Sequence, residues 1–336
     1  MDFSVIVASR NRPVLVREAI QSVLMQSHPS FEIILVNDGS SEENMPAYRS
    51  LLAELGPRVR SLNLVRLHNG HGQSYALNRG AELAAGAFLC FLDDDDFWTD
   101  PHHLSRAWAC LHGHGVSAEL YLANQQAYLN DVRIARPHWL EPLEADCRRK
   151  GLQATGGAYR VSVEDLMACE GFCHLNTTII ARDLFRRIDG LDEGVRYEND
   201  LDFYLRHIDQ AQGILYYPGF VARHNAPDPS KTLNMSTSVS YLQKMLYRAY
   251  VWNKACMFGM SPPLRAVAAR NKGYTLRKIA LKLVEDRRVS SARSFAWEAL
   301  ASRFSIKWLL YCIYLSATAV LKQDRAPPTV GTGTGN

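Results

Sequence analysis

The sequence predicts an α/β protein with a mostly parallel sheet flanked by helices, followed by a helical C-terminal region. In the first hundred residues, short apolar runs alternate with segments of helical periodicity, as in sheets whose parallel strands are joined by helices. From about residue 234 to residue 322 the pattern is helical, with one interruption at Pro262-Pro263. The 336 residues, 47% of them hydrophobic, suffice for one large domain and an appendage.

Four apolar segments in the N-terminal part have the composition of buried strands: residues 3–8, 31–36, 62–67 and 87–92. The intervening segments have helical periodicity: residues 13–26, 44–55 and 74–85. Further along, we expect three more strands and two helices: strands at 119–129, 176–181 and 213–223, and helices at 182–188 and 199–209. We therefore predict a domain over 1–225, a basic helical region over 226–325, and a disordered Pro/Thr/Gly-rich tail over 326–336.

The charge is unevenly distributed along the chain. The net charge is +4, but residues 226–325 contain 17 lysines and arginines against 5 aspartates and glutamates, a balance of +12, and the remainder carries −8. A basic region of this kind favours a polyanionic neighbour, such as a membrane surface, phosphates or nucleic acid. Nucleic acid is disfavoured because the basic residues lie on predicted helices without a reading motif.

Seven cysteines, an odd number without a Cys-x-x-Cys pair, argue against a disulfide framework. Residues 3–8 lack the basic flank of a signal peptide, so we expect a cytoplasmic protein. Cys169, Cys173 and His174 are close in sequence, but three ligands without a second cluster disfavour a zinc site.

Polar clusters follow three of the predicted strands, at residues 9–12, 37–40 and 93–96. In a parallel sheet the carboxyl ends of the strands lie at one edge, where ligands bind, so these clusters should converge on one crevice. The run Asp93 to Asp96 is either a solvated acidic loop or a site for a divalent cation. Its position after an apolar strand and before Phe97-Trp98 favours a Mg²⁺ or Mn²⁺ site.

Other polar residues have two interpretations each. Asp38 could accept a hydrogen bond from a base N–H, or it could be a turn residue in Asn-Asp-Gly-Ser. Asp200 and Asp202 begin a predicted helix, where acids often only compensate the helix dipole, but with Glu198 they could include a general base. His224 could contact a phosphate or metal, or be structural.

Together these segments resemble glycosyltransferase family 2, whose members are inverting enzymes with the Rossmann-like GT-A fold. The resemblance covers about residues 3–225 and rests on four motifs: Ser-Val-Ile-Val-Ala-Ser-Arg-Asn-Arg-Pro from residue 4, Ile-Ile-Leu-Val-Asn-Asp-Gly-Ser from residue 33, Phe-Leu-Asp-Asp-Asp-Asp-Phe-Trp from residue 91, and Asn-Asp-Leu-Asp-Phe-Tyr-Leu-Arg from residue 199. It implies that Asp38 pairs with a pyrimidine base, Asp93 faces the ribose, and Asp95 reaches the metal. It makes Asp200 the catalytic base, His224 a metal or diphosphate contact, and the remaining donor contacts Ala8, Ser9, Arg10, Asn11, Asn78 and Asp94.

Two positions depart from the family pattern. The family commonly has Arg before the Asn of the donor-side segment, whereas this chain has Leu77 before Asn78, so a contact is missing or is supplied by Arg79. The acidic motif usually begins Glu-Asp, and here Asn199 precedes Asp200, which makes Glu198 a rival for the base.

The resemblance implies that a sugar is moved from a UDP or dTDP donor to an acceptor hydroxyl, in cell-surface polysaccharide or glycolipid assembly. Two alternatives stay open: a sugar nucleotidyltransferase, which the absence of glycine from residues 8–13 disfavours, and a non-catalytic glycan-binding or scaffold protein. The expected partners are the nucleotide-sugar donor and a glycan or lipid-linked acceptor.

The apolar run from Trp308 to Leu321 is 14 residues, about 21 Å as a helix, which is short for a bilayer core of about 30 Å. A surface-lying membrane helix, a packing helix and a homodimer contact are all compatible with it. The sequence thus allows peripheral attachment to the inner face of the membrane.

Overall fold

The computed structural model describes residues 1–113, 117–135, 139–226, 228, 230 and 238–323. The chain divides into two compact units. The first unit comprises Met1–Val239 and Phe258–Arg265, and the second comprises Ser240–Met257 and Ala266–Asn336. The predicted tail at 326–336 lies outside the described residues.

The first unit begins with the predicted alternation of strands and helices: β1 (Phe3–Ser9), α1 (Pro13–Leu24), β2 (Phe31–Asn37), α2 (Met45–Leu55), β3 (Val59–Asn63), α3 (Gln73–Leu83) and β4 (Phe88–Asp93). The third strand lies earlier than the predicted 62–67. It pairs in parallel with β2 from Ile33 with Val59 to Asn37 with Asn63, so it ends where its partner ends. Val65 and Leu67, which look like strand residues, are exposed.

Shorter elements complete the first unit: β5 (Phe97–Trp98), α4 (His103–His112), β6 (Leu120–Leu129), β7 (Val132–Arg133), α5 (Leu143–Arg149), β8 (Ala154–Thr155), β9 (Ala158–Val161), α6 (Val163–Ala168), a 3₁₀ turn (Leu175–Thr177), β10 (Thr178–Ala181), α7 (Arg182–Arg187), α8 (Asn199–Gln210) and β11 (Ile214–Asn225). The capping box of α6, between Ser162 and Asp165, fixes where that helix begins.

The described strands form one mixed sheet in the order β3-β2-β1-β4-β10-β6-β11-β9-β8, with β5 paired to β11 and β7 to β6. The strands β3, β2, β1 and β4 are parallel, as are β6 and β11. Between these two groups β10 is antiparallel to both neighbours. The start of β10 therefore lies towards the edge where β1, β2 and β4 end.

The core lies on both faces of the sheet, as the unbroken apolar strands predict. Helix α1 buries Val16, Ala19, Ile20 and Val23 against one face. Helix α3 packs closely on β1 and β2 at Gly80, where a Cβ would lie 2.5 Å from the side chain of Ile6. All seven cysteines are free.

The second unit is helical: α9 (Tyr241–Phe258), most of α10 (Pro262–Glu285), α11 (Val289–Ser302) and α12 (Ile306–Gln323). Helix α10 starts at the Pro262-Pro263 interruption because proline fits the first turn of a helix. The unit has its own core, in which Met245 packs with Leu276, Ile279 and Leu283. Across the described helices, none has both the length and the hydropathy of a membrane span.

Candidate active site

The polar residues that follow three strands converge at one edge of the sheet. Strands β1 and β2 are in register with Ser9 beside Asn37, and β1 and β4 are in register with Ala8 beside Asp93. The segments 9–12, 37–40 and 93–96 therefore leave the sheet side by side, which brings the predicted donor residues together.

Hydrogen bonds hold the loop that follows β1. The Ser9 hydroxyl bonds the Tyr48 hydroxyl at 2.7 Å, and the Arg12 N–H donates to the same Tyr48 oxygen. Asn11 adopts a left-handed conformation at φ +58°, where asparagine is tolerated better than most residues. Its Oδ1 accepts from the Ser41 N–H at 2.7 Å. Arg10 donates to the backbone oxygens of residues 67 and 68, which ties β1 to the segment after β3.

Asp38 accepts hydrogen bonds from one short segment. The His71 N–H and ring Nδ1 lie 2.9 and 2.7 Å from Asp38 Oδ1, and the Gly72 N–H lies 3.2 Å from Oδ2. The His71 ring is stacked on Tyr75 at 4.8 Å. Gly70 allows the 71–72 segment to approach Asp38, because a Cβ at residue 70 would lie 2.6 Å from Asp38 Oδ2. The φ of Gly70 is +65°, which also favours glycine. His71 thus adjoins the predicted base contact, which the sequence analysis did not foresee.

The four aspartates fold as a turn between β4 and β5, and each has its own surroundings. Arg12 Nη1 lies 3.1 Å from both Asp94 Oδ1 and Asp95 Oδ2. Asp96 is buried and accepts from the Asn225 N–H at 2.6 Å and from His224 Nδ1 at 2.7 Å. Two of the four carboxylates therefore have a nearby guanidinium, and a third has an imidazole.

Asp93, Asp95 and Asp96 present carboxylate oxygens that all lie within 4.8 Å of one another. Burial, then Asp96 and Asp95, raises the pKa of Asp93 well above its ordinary value. Burial, then Asp96 and Asp94, raises the pKa of Asp95 to about 6. Mg²⁺ and Mn²⁺ prefer hard oxygen ligands, and a cation here would relieve the mutual repulsion of three neighbouring carboxylates, so this donor set fits such a cation.

His224, predicted as a metal ligand, lies behind this cluster with Nδ1 bonded to Asp96. Burial opposes its protonation, but Asp96, Asp93 and Asp95 outweigh burial and raise its pKa to about 9. A divalent cation bound by these carboxylates would neutralise the negative charge that the His224 proton otherwise neutralises. Coordination of a metal through the other ring nitrogen stays a prediction.

Asn176, at the start of β10, holds the acidic turn in place. Its Nδ2 donates to Asp96 Oδ2 at 2.6 Å and to Gln125 Oε1 at 3.0 Å, and its Oδ1 accepts from the Asp93 N–H at 2.9 Å. Its backbone oxygen accepts from Trp98 Nε1 at 2.8 Å. One buried amide therefore fixes both ends of the turn.

Asp200 lies in the first turn of α8, with Oδ1 accepting from the Leu201 N–H at 2.8 Å. Gln73 joins this helix to the acidic turn, because its Nε2 donates to Asp93 Oδ1 at 2.6 Å and its Oε1 accepts from Asn199 Nδ2 at 3.2 Å. Glu198 is buried and adopts a left-handed conformation at φ +65°. A small, open recess lies beside Gln73, with His71, Tyr75, Arg196 and Asn199 in its wall.

His174 lies between Asp200 and the carboxylate cluster of Asp93, Asp95 and Asp96. Its Nε2 lies 3.9 Å from Asp200 Oδ2 and 3.8 Å from Asp93 Oδ2. Its Nδ1 accepts from the Asn176 N–H at 3.3 Å. Burial, then His224, lowers the pKa of His174 to about 4, so the ring is neutral at pH 7 and carries its proton on Nε2. A neutral N–H donor therefore lies between the two carboxylates.

Asn78 and Arg79 bond with the segment that precedes α8. Asn78 exchanges two hydrogen bonds with the Leu191 backbone, at 2.8 and 2.9 Å. Arg79 pairs with Glu82 at 2.7 Å and with Glu193 at 3.4 Å. In this structure the two residues anchor the segment that leads into α8, and their roles at the nucleotide stay predictions.

The sequence analysis missed four residues that hold or line this site: His71, Gln73, His174 and Asn176. The last two lie just before and at the start of the predicted strand 176–181. An antiparallel strand begins at the edge where its parallel neighbours end, but the direction of this strand could not be read from the sequence. The Cys173 thiol lies 3.3 Å from Thr177 Oγ1 and 3.5 Å from the Ala123 backbone oxygen.

Residues 4–158 match the family model described as Glycosyl transferase family 2. A Bacillus subtilis protein named for teichuronic acid biosynthesis, the glycosyltransferase TuaG, is 35% identical over 95 residues, which is 28% of this chain and 36% of that protein. The matched segments span 31% to 45% of the length of the first curated relatives.

Two solved structures share the fold. TarS 1-349 of S. aureus in complex with UDP-GlcNAc has a TM-score of 0.64 at 17% identity, covering 95% of this chain and 88% of that one. The mannosyltransferase PcManGT of Pyrobaculum calidifontis, in complex with GDP-Man and Mn²⁺, has a TM-score of 0.57 at 17% identity, covering 96% and 81%. The mixed sheet, its flanking helices and the matched family segment agree with the GT-A fold that the sequence predicts. Residues 4–158, a little under half of this chain, therefore match glycosyltransferase family 2, the family that the sequence resembles.

Proposed function

We propose that the chain is an inverting, metal-dependent glycosyltransferase that moves a sugar from a UDP or dTDP donor to an acceptor hydroxyl. The observation that carries the proposal is the cluster of three carboxylates formed by Asp93, Asp95 and Asp96. Asp200 lies on the other side of the His174 ring from this cluster. Cation ligands and a separate carboxylate at one edge of the sheet supply the two chemical functions that direct displacement needs.

Asp38 and the loop after β1 form the proposed nucleotide side. Uracil and thymine both present a ring N–H that a carboxylate can accept. Asp38 already accepts from the 71–72 segment, so a base would share this carboxylate with His71 or displace its ring. The stacked His71 and Tyr75 rings border the same position.

Asp93, Asp95 and Asp96 would hold Mg²⁺ or Mn²⁺, which when bound supplies Lewis-acid compensation for the charge on the departing diphosphate. Arg12 keeps Asp94 and Asp95 oriented through Nη1. Asn176 keeps Asp96 and the Asp93 backbone in place. The side chains around the cluster therefore preorganise the carboxylates.

Asp200 is the proposed general base, which takes the proton of the acceptor hydroxyl as its oxygen attacks the anomeric carbon. Asp200 is favoured over Glu198 because it approaches the ring that contacts Asp93, whereas Glu198 is buried at the start of α8. His174 Nε2 lies 3.8 Å from Asp93 Oδ2 and 3.9 Å from Asp200 Oδ2, so a small movement would let it donate to Asp200 and orient the base. Attack by the acceptor itself, without a covalent sugar–enzyme intermediate, inverts the anomeric configuration.

For the acceptor, we propose a growing polysaccharide or a lipid-linked glycan. The support is the similarity to a relative named for teichuronic acid biosynthesis. A donor panel tests the whole proposal: the chain is incubated with Mn²⁺ and UDP-, dTDP- or GDP-sugars, and the products are analysed by mass spectrometry and by NMR of the anomeric proton. We expect turnover of a UDP or dTDP donor with inversion. Failure to bind or consume any donor would favour a scaffold protein, and retention would refute the single displacement.

A further inference from the structure

The solvent-facing side of α12 is apolar, which is unusual for a surface helix. Ile306, Leu310, Ile313 and Tyr314 are 69%, 62%, 52% and 61% exposed. They recur at the spacing of a single helical face, which Ala317 extends and Lys307 borders. Phe304, just before the helix, is 68% exposed. We call this surface, formed by Phe304, Ile306, Leu310, Ile313 and Tyr314, the α12 ridge.

The opposite side of α12 already has its packing partners. Cys312 and Leu315 are buried against Ala296 and Leu300 of α11. The Cys312 thiol also lies 3.3 Å from the Ala296 backbone oxygen. The core of the second unit therefore orients α12 without using the ridge.

The second unit, which carries the ridge, is strongly basic. Within 240–257 and 266–318, the sequence has 13 lysines and arginines and 3 aspartates and glutamates. The three acids, Glu285, Asp286 and Glu298, each pair with a lysine. From residue 299 to residue 323 the sequence contains no acidic residue, so nothing acidic lies on the ridge or beside it along α12.

We propose that the α12 ridge binds the surface of a membrane containing anionic phospholipid. The ridge would insert its large side chains at the level of the headgroups, and Lys307 and the surrounding basic residues would face the lipid phosphates. Charge complementarity favours this partner over a second copy of the chain. A two-fold contact through the ridge would bring two strongly basic units together. The inference concerns the second unit and does not depend on the proposed transferase activity.

Flotation of the full chain with lipid vesicles tests the proposal. We expect binding to vesicles of phosphatidylcholine with about one third phosphatidylglycerol at low salt, weaker binding at high salt, and little binding to phosphatidylcholine alone. The double variant L310Q/I313Q should bind about 100-fold more weakly, at about tenfold for each large aliphatic side chain. Lys307→Gln should cost about fivefold.

The matched control is V14Q/V132Q, which removes two side chains of the first unit that are 77% and 69% exposed. It should bind vesicles like the parent chain. Circular dichroism should show that both double variants are folded, as expected for substitutions of exposed residues. Absence of binding by the parent chain, or equal binding by L310Q/I313Q, would overturn the proposal. So would a dimer of the parent chain that L310Q/I313Q converts to a monomer with vesicle binding unchanged.

Discussion

Replacement of Asn176 by leucine should destabilise the first unit strongly, although the two side chains are similar in size. The substitution removes the hydrogen bonds to Asp96, Gln125 and the Asp93 N–H. The bond to Asp96 is charge-assisted and was worth about 1.5–3 kcal/mol in comparable cases, and each of the other two about 1 kcal/mol. Because Asp96 is buried, water cannot replace its lost partner. We therefore expect the free energy of unfolding to fall by about 3–5 kcal/mol.

Urea unfolding followed by circular dichroism measures this change, with an unchanged m-value as the check that the same transition is compared. The matched control is Asn63→Leu, at the exposed end of β3, which should change the free energy of unfolding by about 0.5 kcal/mol or less. A loss below about 1 kcal/mol for Asn176→Leu, or one equal to that of the control, would refute the role of Asn176 as the residue that holds the acidic turn.

Three further predictions concern the base, its neighbour and acid stability. Asp200→Asn should lower turnover about 100-fold or more with nearly unchanged donor affinity, whereas Glu198→Gln should retain more activity. Full activity of Asp200→Asn in a transfer assay would show that Asp200 is not the base. His174→Ala should lower kcat more than it raises KM. His174→Gln can still offer an N–H near the Nε2 position and should recover part of kcat. An equal loss of kcat in both variants would contradict a role of His174 as a hydrogen-bond donor. His103 and His207 are fully buried without a hydrogen-bond partner for either ring nitrogen among the described residues. Burial lowers the pKa of each histidine to about 3, below the ordinary 6.5. Between these two pH values the unfolded chain binds protons that the folded chain excludes, so the free energy of unfolding falls as the pH drops from about 6.5 towards 3. Each histidine should lower the free energy of unfolding by about 2 kcal/mol at pH 5 relative to pH 8. Urea titrations at both pH values should show that His103→Phe removes the share of this loss that is due to His103. An unchanged pH dependence in this variant would show that His103 is not responsible.

The strand ends were the part of the site that the sequence could predict. An apolar run that stops at a polar cluster fixes which residues leave the sheet, and parallel pairing brings such clusters to one edge. Asp38 and Asp93 to Asp96 were located in this way, and the family resemblance added Asp200. The helices of the C-terminal region were also predicted, because their apolar periodicity is long and Pro262 marks a boundary.

The remaining residues depend on contacts between distant segments. Strand periodicity does not give direction, so the antiparallel course of β10, which brings His174 and Asn176 to the site, could not be read from residues 176–181. The resemblance suggested a donor contact for Asn78, but its amide bonds with Leu191, 113 residues away. His71 reaches Asp38 through the turn at Gly70, whose conformation depends on side chains from two other segments.

Isothermal titration of UDP in the presence and absence of Mn²⁺, with the parent chain, Asp95→Asn and Asp200→Asn, tests the central claim most directly. The claim is that the three-carboxylate cluster holds the cation and that Asp200 serves the acceptor. We predict that Mn²⁺ strengthens UDP binding by at least about tenfold in the parent chain and in Asp200→Asn, and that Asp95→Asn loses this gain. UDP binding that is independent of Mn²⁺, or a gain that persists in Asp95→Asn, would contradict it.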